Sequence, residues 1–122
     1  MISNNPKCGA VLFAKNNRID CKIINDFRYP ILKNKNKEYE LVLKYYKTNL
    51  ILLAGYMKKI PKNIVKIYKH KIMNIHPALL PNYGGEGFYG MKVHDAVINA
   101  NEKVSGATVH LVNNEYDKGS II

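Results

Sequence analysis

Asn74 and His76 stand one residue apart in Asn-Ile-His-Pro-Ala-Leu-Leu-Pro, residues 74–81. In an extended chain alternate side chains share a face, so this spacing puts an amide and an imidazole on one side. That pairing suits acyl transfer. The amide donates to an oxygen that becomes negative, and the imidazole delivers or accepts a proton near neutral pH. A bare Asn-x-His is more often a strand whose His is satisfied by nearby backbone; the whole string is far more specific. Pro77 and Pro81 stiffen the exit from the strand and help hold both side chains in place.

A third group, Asp117, lies in the run Asn113, Asn114, Glu115, Tyr116, Asp117, Lys118, Gly119. A carboxylate there is expected to reach the same sheet edge as His76 and to support positive charge on the imidazole. The plainer alternative is a turn residue ahead of Lys118-Gly119. His110, in mid-strand, reads as structural, and His94 sits on a helical pattern that leaves its direction open.

These residues need a scaffold, and the apolar pattern supplies one. Runs suited to buried strands fall at residues 22–25, 50–54, 71–75 and 107–112. Helical patterns lie between them. Tyr39, Val42, Leu43 and Tyr46 form one stripe, and Ile60, Ile64, Ile67 and Tyr68 a second, with Pro61 in the first turn. Val93, Ala96, Val97 and Ala100 form a third, which Asn101 ends. Strand–helix alternation predicts an α/β fold, a Rossmann-like doubly wound and mostly parallel sheet. Such sheets bind ligands beyond the carboxyl ends of their strands. Gly55, after residues 50–54, permits a tight turn there, although alone it marks an ordinary strand-to-helix loop.

The 122 residues suit one small domain with a real core. The net charge of +10 raises the question of nucleic acid. Nearly all of that charge is Lys, with Arg18 and Arg28 the exceptions, and Asn, Ile and Tyr are abundant as well. A base-biased genome explains that pattern, and no stretch interleaves Arg with aromatics, so no nucleic-acid partner is expected. Neither a membrane partner nor a targeting signal is indicated, which favours the cytoplasm. Cys8 and Cys21 read as free thiols, and no metal is expected.

The string at residues 74–81, followed by Tyr83-Gly84-Gly85 and by Tyr89-Gly90-Met91-Lys92-Val93-His94, resembles the signature region of the phosphoribosylglycinamide formyltransferase family. Leu53-Ala54-Gly55-Tyr56-Met57 resembles an earlier block of that family. Ser105-Gly106-Ala107-Thr108-Val109-His110 and Asp117-Lys118-Gly119-Ser120-Ile121-Ile122 resemble a later one. The resemblance implies formyl transfer from 10-formyltetrahydrofolate, a co-substrate, to the amine of phosphoribosylglycinamide in purine synthesis, by a monomer or homodimer. It implies catalytic roles for Asn74, His76 and Asp117. It places Met57, Lys58, Lys59 and Ile60 in a folate-binding loop, and Val112, Asn113, Asn114, Glu115, Tyr116 and Asp117 around the pterin, with Asn74 also touching folate.

The sequence departs from the family pattern in two places: an Arg expected upstream has no counterpart near Lys33 to Lys37, and Lys92 replaces a His common in relatives. Ile2-Ser3-Asn4-Asn5 resembles the end of the family's second strand. The expectation is therefore a single formyltransferase domain over 1–122 that is incomplete, lacking the first strand with its phosphate-binding turn and the C-terminal part. Two alternatives stay open, a formyltetrahydrofolate hydrolase and an inactive truncated remnant. Pro77 and the Tyr-Gly-Gly segment favour the purine enzyme over the hydrolase, which tends to carry a second His at that place. They also favour it over methionyl-tRNA formyltransferases, which usually have Gly-Ser in place of Pro77-Ala78.

Overall fold

A computed structural model describes residues 1–122, which divide into two units, Met1–Thr48 and Asn49–Ile122. In the first unit, β1 (Ile2–Ser3) leads through α1 (Gly9–Asn16) to β2 (Lys22–Ile23), which pairs with β1 in parallel, and α2 (Leu32–Tyr45) follows. Ile23, Ile24 and Ala14 are buried in this unit, together with Tyr39 and Leu43 of α2. Those two α2 residues are one turn apart, as the apolar stripe predicts. Helix α1 gave no such signal. Its apolar residues run consecutively from Ala10 to Ala14, and Leu12 and Phe13 are exposed, so no 3.6-residue pattern exists to read.

In the second unit, β3 (Ile51–Ala54), α3 (Lys62–Ile67) and β4 (Ile72–His76) form a strand–helix–strand unit whose strands are parallel. Then come α4 (Met91–Asn99) and β5 (Thr108–Leu111). Three of the four predicted strands shift or shorten by a residue at an end, and the first keeps only Lys22–Ile23. Pro61 caps α3 rather than sitting inside its first turn. It presets φ there, and its missing N–H would have no helical partner in any case. Ile64, Val65 and Ile72 are buried in this unit. Val93 and Val97 of α4 are buried with Ala78, flanked by Tyr83 and Phe88.

One strand departs from a wholly parallel sheet. β5 runs antiparallel to β4, with His76 opposite Thr108 and Asn74 opposite His110. The chain leaving α4 turns at Asn101, in the left-handed region (φ 51), and so enters β5 beside the carboxyl end of β4. After β5 it doubles back. Leu111 N–H donates to the Ser120 carbonyl and Ile122 N–H to that of Val109.

Candidate active site

The pleat of β4 places Asn74 and His76 on one face, as their spacing predicted, and His110 of β5 faces Asn74 across the ladder. His76 and His110 are both buried, at 4% and 2% exposure. The exit from β4 is clamped from β5. The Thr108 hydroxyl donates to the Ala78 carbonyl at 2.7 Å and accepts the Leu80 N–H at 2.9 Å. With Pro77 restricting the chain, this clamp fixes the path that leads to Tyr83.

His76 is held at both ring nitrogens. Nε2 donates to the Tyr83 carbonyl at 2.7 Å, and Nδ1 is 3.5 Å from Oδ2 of Asp117. That same carboxylate oxygen accepts the Gly85 N–H at 2.9 Å, while Oδ1 lies 3.4 Å from Nε2 of His110. Tyr83 and Asp117 both adopt left-handed backbone, with φ of 56 and 54. Each such non-glycine residue costs about 1–3 kcal/mol, and such strain concentrates where a site dictates direction. Here the two residues that grip His76 both carry it.

Asp117 reaches His76 by a route the sequence did not indicate. Because β5 is antiparallel, its carboxyl end lies beside the start of β4, with Leu111 opposite Met73. The reversal through residues 112–120 returns the chain along β5 and carries Asp117 back to His76. The predicted contact is present; the reason expected for it is replaced.

A cavity of 650 Å³ opens on this cluster, within the range of pockets that take small molecules. Asn74, His76 and Asp117 line it together with Met57, Lys58, Lys59, Ile60, Val112, Asn113, Glu115 and Tyr116. Asn114 is exposed and lies outside the lining. Sequence reasoning missed three contributors. The glycine-containing loop at residues 85–90 forms one wall, with positive φ at Gly85, Gly87 and Gly90. His94 also lines the cavity, as does His110, which had read as structural. The Tyr83-Gly84-Gly85 run was the available signal for the loop.

Charge at the rim is mixed. Lys59 Nζ lies 5.1 Å over the Tyr116 ring. The Lys118 ammonium, hydrogen-bonded to Glu115, holds that carboxyl below the ordinary carboxylate range, and Lys59 adds to the effect. Tyr83 donates its hydroxyl to Glu102 at 2.6 Å, a bond that pushes the phenol above its ordinary value. It also ties the chain just ahead of the loop wall to the chain beyond α4. No group of three or more His, Cys, Asp or Glu side chains has an arrangement that could hold a metal ion.

The cavity thus sets an amide, an imidazole and a carboxylate beside apolar side chains. A phosphoribosylglycinamide formyltransferase of Arabidopsis thaliana, named as chloroplastic, is 42% identical over all of this chain. The chain spans 42% of that relative's length. Among solved structures, glycinamide ribonucleotide transformylase 1 of Symbiobacterium toebii superposes with a TM-score of 0.87 at 28% identity, over 99% of this chain and 55% of its own. A formyltetrahydrofolate deformylase of Pseudomonas syringae superposes with a TM-score of 0.82 at 25% identity, over 99% of this chain and 38% of its own. The α/β fold is therefore that of the formyltransferases. The family model described as formyl transferase matches residues 1–122, and the chain belongs to that family.

Proposed function

We propose that the cavity binds 10-formyltetrahydrofolate and that the protein transfers its formyl group to the amine of 5'-phosphoribosylglycinamide, a step of purine synthesis. The observation that carries this reading is the convergence of Asn74, His76 and Asp117 on one wall of a largely apolar cavity. The identity to a purine-pathway formyltransferase supports the choice of amine. The unbroken family match supports treating both units as parts of one formyltransferase domain. The free thiols of Cys8 and Cys21 suit a reducing compartment such as the cytosol.

In this mechanism the amine lone pair attacks the formyl carbon, and the carbonyl electron pair moves onto the formyl oxygen. An Asn74 N–H and the Nε2–H of His76 donate to that oxygen as it becomes negative. Collapse breaks the bond from carbon to the folate nitrogen, which leaves with a proton relayed from the amine. Asp117 sustains positive charge on His76 through Nδ1 and orients the water that relays the proton. The Nε2–H of His76 is donated to Tyr83 in this conformation. Substrate oxygen must therefore displace that carbonyl to be served. Apolar Met57, Ile60 and Val112 suit the flat pterin, and Lys58 and Lys59 at the mouth suit its carboxylate tail.

Calorimetric titration with a non-reactive folate analogue tests the placement. Binding is expected, with a loss of about tenfold or more for Met57→Glu, which would bury a charge against the pterin. Equal affinity in wild type and variant would remove folate from the cavity. The deformylase likeness supports a second reading, with water in place of the amine as nucleophile.

A further inference from the structure

The two ring nitrogens of His110 have different neighbours. Nδ1 is 2.8 Å from the Leu111 carbonyl oxygen, which can only accept, so Nδ1 carries a hydrogen. Nε2 is 3.1 Å from the amide nitrogen of Asn74, which can only donate. The two facts agree if the ring is neutral, with the lone pair on Nε2 receiving an Asn74 N–H. The carboxylate Oδ1 of Asp117 is the other neighbour of Nε2, farther away at 3.4 Å. Asp117 has the Gly85 N–H and His76 on its other oxygen.

We infer that His110 is a positioning residue for the reaction proposed above: its Nε2 lone pair fixes which way the Asn74 amide faces. An unrestrained asparagine amide can turn over and exchange its oxygen for its nitrogen. In the cavity wall that exchange would present a different set of donors and acceptors to the reacting oxygen. The ring prevents it, because only the nitrogen end satisfies an acceptor. A ring protonated at Nε2 would reverse the restraint, rejecting the Asn74 N–H and turning toward Asp117. His76 faces the other oxygen of that carboxylate, so the two histidines divide it. The inference rests on the formyl-transfer reading for its consequence and on hydrogen-bond geometry alone for the state of the ring.

Two measurements test it separately. Nitrogen-15 NMR of the purified chain near neutral pH should show His110 neutral, with hydrogen on Nδ1 and none on Nε2. A hydrogen on Nε2 overturns the inference whether or not the protein transfers formyl groups. In turnover assays, His110→Leu should lower kcat about tenfold or more with a small change in folate KM, and His110→Gln, whose amide oxygen can accept from Asn74, should recover most of it. His110→Leu combined with Asn74→Ala should be no slower than Asn74→Ala alone, because both changes remove one function. Additive losses would make His110 merely structural and overturn the inference. If the wild type itself transfers no formyl group, the functional reading fails, and the NMR result still decides the state of the ring.

Discussion

Oδ2 of Asp117 stands 3.5 Å from Nδ1 of His76, and the left-handed backbone of Asp117 (φ 54) helps to aim it there. A carboxamide at position 117 keeps the shape and removes the charge. Asp117→Asn is therefore expected to lower kcat by about 10²-fold or more, in the range of general acid–base contributions, while folate KM changes little. Steady-state kinetics with each substrate varied in turn checks the split. A rise in KM with kcat unchanged would make Asp117 a binding residue instead.

In the proposed reaction, Asn74→Ala removes a donor to the oxygen that becomes negative. A loss of about 10²–10³ in kcat is expected, the magnitude typical of one such donor, with folate affinity by calorimetry nearly retained. A variant within twofold of wild type would exclude Asn74 from the chemistry.

The Asn74–His76 pairing was legible because strand alternation is a strict geometric rule, and residues 71–75 were apolar enough to declare a strand. Asp117 was expected at that edge simply as a residue beyond the last strand, and the antiparallel course of β5 replaces that reason. Nothing local says that β5 runs antiparallel or that the chain after it doubles back, since both follow from pairings distant in sequence. The partner of His110 was hidden for a related reason. A mid-strand His shows its partner only when the facing strand and its register are known, and Asn74 lies opposite it. Helix α1 was illegible because it buries little more than Ala14, so no stripe marks it.

The reversal after β5 leaves no room at Gly119. A Cβ built there would collide with the Leu111 carbonyl group. Gly119→Ala is expected to cost about 1–3 kcal/mol or more, because backbone must move to admit the methyl group. It should also weaken folate binding, by shifting the cavity wall at Glu115 and Tyr116 with the turn. Denaturant unfolding and calorimetry read the two effects. Unchanged stability would mean that the reversal does not hold this close approach.

In the first unit, the Ser3 hydroxyl lies 3.4 Å from Cys8 Sγ. That bond, helped by backbone N–H groups of Val11 and Ala10, holds the Cys8 thiol below its ordinary value. The thiolate is the reactive form, so a lowered value means alkylation that is fast at lower pH. Ser3→Ala should move the pH profile of iodoacetamide labelling at Cys8 upward and slow labelling at neutral pH. Peptide mass spectrometry, with Cys21 followed in the same digest, reads this directly. An unmoved profile would remove Ser3 as the cause.

Formyl transfer from folate to an amine at this cavity is read from the amine dependence of tetrahydrofolate release. The purified protein is given 10-formyltetrahydrofolate with and without 5'-phosphoribosylglycinamide, and tetrahydrofolate, formate and formylated product are measured together. Tetrahydrofolate and formylated amine are expected in equal amounts when the amine is present, and almost none without it. Formate release at a comparable rate in the absence of the amine would assign the site to hydrolysis. No turnover under either condition would contradict the proposed reaction for this chain.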